Sequence, residues 1–434
     1  MQLPIQVQKY LNKQNSSRWN IEIKEQSLFS NIIVVPALAE YENTKVLLES
    51  LSLNSKYYLD QTLIIFVVNN LASHSANIKE TNFKLLSFLR DYQKEENPLL
   101  NIGIIDASTT DKTLPGKDGG VGFARKIGMD LALNYFNYEN NNKKILICLD
   151  ADCTVSENYL ETIVTEFNKN NFSAGYVNFE HKLQQNEEDQ KAIINYEIFL
   201  RYYVAGLKFA NSPYGFHTIG STMICDFESY VKIGGMNKRK AAEDFYFMEK
   251  LAKVTKINKI TGATVFPSSR GSWRVPFGTG QRVNRYLSHK QNEYLLYSLK
   301  SFEVLKEWLK VFHSPENTSS DNYLVEAKRI NISLYNFLVD QNFKKAWDMI
   351  LSNSKTGLQI EKQKKIWMDG FKTLKLIHYL RDNTFPQENM FDALDIFYSK
   401  IGIINSINRN KNLPSIEIQL EYLENLKKLE SCNG

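Results

Sequence analysis

Two short acidic clusters carry the clearest chemistry in this sequence. The run Ile145-Leu146-Ile147-Cys148-Leu149-Asp150-Ala151-Asp152 ends an apolar stretch in two carboxylates with one small residue between them. In an extended chain positions i and i+2 point the same way, so Asp150 and Asp152 can face one cleft. Two neighbouring carboxylates repel unless a proton or a cation lies between them. A hard divalent cation that also binds phosphate oxygens satisfies such a pair. The bland alternative is an aspartate that caps the following helix. The second cluster, Glu243-Asp244, follows the Gly234-Gly235 turn and the basic loop Lys238-Arg239-Lys240, and opens an amphipathic helix. Acids at a helix start complement its unpaired N–H groups and dipole. The chemical alternative is a general base at the mouth of a cleft.

Two further segments combine glycine with arginine. Gly116-Lys117-Asp118-Gly119-Gly120-Val121-Gly122-Phe123-Ala124-Arg125-Lys126 is a glycine-rich loop that runs into a helix. Such a loop lets backbone approach a ligand, and the helix start favours anions. It has neither the G-x-G-x-x-G order of dinucleotide folds nor a G-x-x-x-x-G-K-[ST] phosphate loop. The segment Pro267-Ser268-Ser269-Arg270-Gly271-Ser272-Trp273-Arg274, with Arg282 beyond it, supplies cations that could neutralise a leaving diphosphate or simply be solvated.

These residues need a scaffold. Near-continuous apolar runs at 32–35, 63–68, 102–105, 145–149, 174–179, 222–225 and 263–266 predict strands buried on both faces. Helical patterns at 121–136, 159–168 and 191–209 lie between them. Alternating strands and helices predict a mostly parallel α/β sheet, with chemistry just beyond the carboxyl ends of its strands. From about residue 285 onward the strand signal fades. Apolar residues recur at helical spacing over 294–312, 327–351, 360–380 and 416–429, which predicts an all-helical C-terminal module.

Bulk composition sets outer limits. The 434 residues are 43% hydrophobic and 12% aromatic, so global disorder is excluded. The formal charge is +5 with no strongly basic arm, which argues against a nucleic-acid partner. Four cysteines without a CxxC pair fit a reducing compartment. The polar N-terminus has no apolar signal core, and no apolar run is long enough to span a bilayer. A cytoplasmic protein is expected, with peripheral contact at the inner membrane face compatible with the charge.

Taken in order, the motifs resemble the inverting glycosyltransferases of family 2, which have the GT-A fold. The resemblance covers roughly residues 30–290. It starts at Val34-Val35-Pro36-Ala37, with Glu40 nearby. It continues through Gly119 to Gly128, where Ala124-Arg125-Lys126-Ile127-Gly128 is similar to the family's A-R-N-x-G helix. It takes in Asp150-Ala151-Asp152 and ends at Ile233-Gly234-Gly235-Met236 with Glu243-Asp244. The resemblance implies a GT-A type, Rossmann-like, mostly parallel sheet flanked by helices. It divides the chain into an N-terminal extension (1–29), a GT-A domain (30–285) and a helical C-terminal module (286–434). It implies a hexosyltransferase-type enzyme that moves a sugar from a nucleotide-sugar donor to a glycan, lipid or small-molecule acceptor. Asp150 and Asp152 would hold Mg²⁺ or Mn²⁺ against the donor diphosphate. Pro36, Ala37, Glu40, Asn69, Gly119, Arg125, Asp150 and Arg270 would line the donor site. Asp244 would be the general base, with Glu243 beside it. His217, Trp273 and Arg274 would face the acceptor, and a further metal ligand is the alternative role for His217. Asn69-Asn70 stands where the family usually has an acidic residue. Gln281-Arg282-Val283-Asn284-Arg285-Tyr286 is one residue out of register with the Q-x-x-R-W of the processive members, so transfer is expected to be non-processive. A retaining GT-A transferase and a non-catalytic nucleotide-sugar-binding protein are the competing readings.

Overall fold

The apolar runs become strands because an all-residue apolar sequence can be buried on both faces of a sheet. The computed structural model describes residues 2–14, 18–24, 27–96, 98–271, 278–316, 318–403, 407, 409 and 411–432. Eight strands form one sheet: β1 (Asn31–Ala37), β2 (Thr62–Asn69), β3 (Asn101–Ala107), β4 (Ile145–Cys148), β5 (Thr154–Val155), β6 (Ala174–Phe179), β7 (Met223–Asp226) and β8 (Asn258–Phe266). Their order is β3-β2-β1-β4-β7-β6-β8-β5. The pairs β1–β2, β2–β3, β1–β4 and β6–β8 are parallel, whereas β7 runs antiparallel to both neighbours and β5 antiparallel to β8. Every residue of β1 and β2 is buried. Because β1 to β4 are mutually parallel, Ala37, Asn69, Ala107 and Cys148 end at one edge, so the residues that follow them share that edge.

Helices α1 (Ile5–Leu11), α2 (Tyr41–Ser52), α3 (Lys56–Leu59), α4 (Ala76–Lys94), α5 (Val121–Ala132) and α6 (Tyr159–Lys169) accompany this sheet. The expected α/β sheet with a helical C-terminal region is present. The strand predicted at 263–266 is the second half of β8. Its first half was hidden by polar residues and by Gly262, whose φ of +83° marks an irregularity: Val177 pairs with Ile260, but Asn178 pairs with Thr264.

The chain divides into two compact units, one of Met1–Gln184 with Thr218–Gln281 and one of Gln185–His217 with Arg282–Asn433. The first contains the whole eight-stranded sheet, with α8 (Phe227–Lys232) and α9 (Glu243–Ala252). The second is built on the long helix α7 (Glu187–Phe209) and on helices from Leu299–Phe312 to Ile416–Cys432. Its core is rich in rings, among them Trp308, Phe312, Tyr323, Phe343 and Trp347. Gly206 makes room for the Phe302 ring, which a Cβ would meet at 2.5 Å. The predicted helix at 327–351 is three helices, because Asn331 caps Ile332–Asp340 and Asn342, at φ +52°, precedes Phe343–Asn353. The helical region also holds one short antiparallel pair, Leu295–Leu296 with Glu388–Asn389. No described helix is long and apolar enough to cross a membrane.

Within the first unit α1 is locked by a buried polar knot. The hydroxyls of Tyr10 and Tyr230 both donate to Asp130 Oδ1 at 2.6 Å, and Lys126 Nζ lies 2.9 Å from Asp130 Oδ2 and from the Tyr10 hydroxyl. The knot closes on the Gly234-Gly235 turn, where φ is +77° and +74°. A Cβ on Gly235 would lie 1.9 Å from the Tyr10 hydroxyl, whereas one on Gly234 would meet nothing within 4 Å. Gly234→Ala is therefore expected to lose only the left-handed backbone cost, about 1–2 kcal/mol. Gly235→Ala adds overpacking and should lose about 2–5 kcal/mol. Urea unfolding of the two variants checks this; equal losses would contradict the Tyr10 contact.

Candidate functional site

The carboxyl edge of the sheet gathers acidic groups from distant segments. Asp150 and Asp152 follow β4, with side chains 33% and 28% exposed. Glu40 follows β1 and is buried at the start of α2, where Asn43 Nδ2 donates to its Oε2. Glu243 and Asp244 open α9; Glu243 is buried and Asp244 half-buried. Two alanines in the left-handed region precede these acids, Ala39 at φ +54° and Ala242 at φ +56°. Such strain persists only where the surroundings hold it. At Ala39 the backbone N–H donates to Asn82 Oδ1 at 2.8 Å.

Arg125 ties the acidic clusters together. Its side chain is 2% exposed, with one terminal nitrogen on Asp150 Oδ1 and the other on Glu243 Oε1. Its Nε has no hydrogen-bond partner among the described residues. Burial opposes the charge, but the Asp150 and Glu243 carboxylates outweigh it and hold the guanidinium protonated. The guanidinium lies flat against Gly220, where a Cβ would come within 2.5 Å of it. A second cation, Arg270, is 40% exposed and bridges Glu40 Oε1 at 2.5 Å and Asp152 Oδ2 at 3.1 Å.

The glycines of the loop before α5 serve this arrangement. A Cβ on Gly122 would lie 2.5 Å from Arg239 O and 2.8 Å from Glu243 Cβ, and one on Gly120 would lie 2.8 Å from Lys240 Cα. Their absence lets the 237–242 loop close on α5 and present Glu243 to Arg125. Asn237 Nδ2 donates to Glu243 O at 2.8 Å, and Lys240 Nζ to Gly116 O at 2.9 Å. Gly119 is buried against the Leu71 side chain, and its N–H donates to Pro115 O at 2.7 Å. Gly120 and Gly122 belong to the glycine-rich loop expected to admit a ligand, and here they admit the 237–242 loop instead, since room for backbone and room for a ligand leave the same glycine signature; Gly220 was not singled out.

Five carboxylates thus share the region with two guanidiniums, and their proton affinities show the imbalance. Burial, then the charges of Asp150 and Glu40, push Asp152 up to about 6, against the pull of Arg270. Burial and the neighbouring Asp244 push Glu243 up to about 7, against the pull of Arg125. Burial also raises Asp244. The donor set suits a hard cation, because it is all oxygen and short of positive charge. Among the described residues no cluster of three or more His, Cys, Asp or Glu side chains is placed to hold one. Asp150 and Asp152 alone would therefore hold a cation only in part, leaving positions for phosphate oxygens and water, as Mg²⁺ commonly keeps.

The other expected site residues fall as follows. Pro36 and Ala37 are buried in β1. Asn69 ends β2, with Nδ2 donating to Val67 O at 3.0 Å and Ala37 O at 3.3 Å. Asn82 Nδ2 binds Asn69 O and Asn70 Oδ1, so an amide network fixes the ends of β1 and β2. Asp106, on β3, was not anticipated. Burial would raise it, but hydrogen bonds from Thr109 and Ser108 outweigh burial and hold it low. His217 belongs to the second unit, buried, with Nε2 2.8 Å from Glu430 Oε1; Arg201 reaches Glu430 Oε2 at 2.7 Å. Trp273 and Arg274 lie outside the described residues.

No family model matches the chain, and no curated protein matches it. Among solved structures it is similar to residues 1–349 of S. aureus TarS in complex with UDP-GlcNAc, at TM-score 0.37 and 11% identity, over 88% of this chain and 95% of that one. It is similar to the mannosyltransferase PcManGT from Pyrobaculum calidifontis in complex with GDP-Man and Mn²⁺, at TM-score 0.35 and 12% identity, over 87% and 92%. It is also similar to GalNAc-T7 with UDP, GalNAc and Mn²⁺, at TM-score 0.36 and 14% identity, over 67% and 51%.

The raised Glu243 pKa has a consequence for stability. Its folded value of about 7 lies above the ordinary 4.5, so the folded chain binds this proton more tightly. The stability it contributes is complete below about 4.5 and is lost as pH rises through about 7. Glu243→Gln lacks that proton, so its stability relative to wild type should rise as pH goes from about 5 to about 8. Denaturant unfolding across this range measures the difference, and a pH-independent difference would contradict the assignment.

Proposed function

We propose that the protein is a metal-dependent, inverting, non-processive glycosyltransferase of family 2 type, with its transferase portion in residues 30–285. One observation carries the reading: Arg125 joins the strand-end Asp150 to the helix-start Glu243, so both acidic clusters serve one region at the carboxyl edge of the sheet. An excess of carboxylates beside exposed Arg270 suits a nucleoside diphosphate that arrives with a divalent cation. Mg²⁺ or Mn²⁺ on Asp150 and Asp152 would neutralise charge on the departing diphosphate.

The chain's own residues divide the remaining work. Pro36, Ala37, Glu40, Asn69 and Gly119 bound the donor pocket. Arg270 leaves its carboxylate partners for the diphosphate, where a planar guanidinium suits phosphate oxygens. Arg125 positions Asp150 and Glu243 and acts on the donor through them. Asp244, with its raised proton affinity, takes the proton from the acceptor hydroxyl. The acceptor oxygen then forms a bond to the anomeric carbon from the face opposite the diphosphate. The bond from that carbon to the diphosphate oxygen breaks, and the nucleoside diphosphate leaves with the electron pair. A single displacement of this kind inverts the anomeric centre. Trp273 and Arg274 are proposed on the acceptor side.

Transfer and donor hydrolysis assayed with a panel of radiolabelled nucleotide sugars and Mn²⁺ test the reading. At least one donor should be consumed, with the inverted anomer seen by NMR; a retained anomer would replace inversion by a retaining mechanism. Asp244→Asn is expected to lower turnover by about 10²–10⁴-fold while donor binding persists. Near-normal turnover in that variant would remove Asp244 as the base.

A further inference from the structure

A groove of about 520 Å³ opens in the first unit at the end of the sheet opposite the acidic clusters. It lies beside Lys143 and Lys144, which precede β4, and Asp226 and Phe227, which end and follow β7. Asp150 follows the other end of β4, so the two places are about 20 Å apart along the extended chain.

The groove's polar groups define what it can hold. Lys143 Nζ is paired with Asp226 Oδ2 at 3.3 Å. The three N–H donors of Lys144 face Asn140 O and Asn140 Oδ1, both at 2.7 Å, and Asn142 O. The charge of Lys143 is thus offset by Asp226 and the donors of Lys144 are used, which disfavours an anion. The exposed side chains of Gln6, Asn141, Asn171 and Glu228 line the same groove and make no hydrogen bond or ion pair to a described residue. Three primary amides and one carboxylate thus stand open. Each amide offers both donors and an acceptor, and the carboxylate offers acceptors only. Tyr138 and Phe227 supply an apolar wall, with ring centroids 5.1 Å apart in an edge-on pair.

A ligand that uses both amide donors and acceptors, gives protons to a carboxylate, carries no charge and presents an apolar face is a polyhydroxylated ring compound. We propose that this groove is a binding site for a neutral oligosaccharide, separate from the carboxylate site. Vicinal hydroxyls pair with the amides of Asn141, Asn171 and Gln6, another hydroxyl donates to Glu228, and the C–H face of a sugar ring packs on the aromatic wall. The inference assigns binding only and does not depend on the transferase reading.

Saturation-transfer NMR on the full chain, with maltohexaose, cellopentaose and chitotetraose as separate probes, tests it. At least one should show transfer without any nucleotide or metal. Asn171→Gly, which keeps the left-handed φ of +50° while removing the amide, and Asn141→Ala should each weaken that binding about tenfold at an unchanged thermal midpoint. Asp152→Asn should leave it unaltered. Absence of transfer from all three probes overturns the proposal, as does binding that is lost in Asp152→Asn but kept in both groove variants. Competition by millimolar inorganic phosphate also overturns it, because it would make the groove an anion site.

Discussion

A guanidinium with almost no access to water must be surrounded by negative charge, and Arg125 meets that constraint by holding Asp150 and Glu243 at once. Either carboxylate alone still pairs with the guanidinium, whereas loss of Arg125 would leave the buried Glu243 without its cation. Much of the local backbone answers to this one side chain. Gly220 exists as a flat surface beside it, and Gly122 and Gly120 let the loop before Glu243 come close enough to reach it. Gly128 lets α5, which carries Arg125, settle against Val34 of β1 and Val67 of β2. The helix, two strand ends and the start of α9 are thereby placed relative to one another by packing that converges on one ion cluster.

The same constraint explains why the region is still short of positive charge. Arg125 is consumed inside the frame, and Arg270 is shared between Glu40 and Asp152 at the surface. Asp152 and Glu243 respond by holding protons more tightly than carboxylates normally do, because burial and like charge disfavour their ionised forms. A cation arriving with phosphate oxygens would relieve that repulsion, while burial raises the proton affinity of Asp244 above that of an ordinary carboxylate. Structure and chemistry are linked at this point: the fold concentrates acid at a strand edge, where a hard cation would offset the like charge.

Much of this was legible in residue order. Strands buried on both faces announce themselves by unbroken apolar runs, and Asp150-Ala151-Asp152 stands out because it ends one. The interrupted strand β8 was only half visible, since Thr261 and Gly262 break its pattern at the bulge, and β5 is too short to leave a pattern. The C-terminal helices were visible as periodicity, but Asn331 and Asn342 divide what reads as one long repeat. In the site, the identities of the acids could be read from sequence, whereas the burial of Arg125 could not. Arginine is seldom buried unless paired, and its partners Asp150 and Glu243 come from segments far away in sequence. His217 shows the same limit: its partner Glu430 lies in the last helix, and only the fold brings the two together.

On the proposed function, this acid-rich edge binds a nucleoside diphosphate group together with a divalent cation. Calorimetric titration of UDP- and GDP-sugars into the full chain, with Mn²⁺ and then with EDTA, measures it most directly. At least one donor is expected to bind in a way that requires Mn²⁺ and is abolished in Asp152→Asn. Donor affinity that is the same with EDTA and in the Asp152→Asn protein would contradict it.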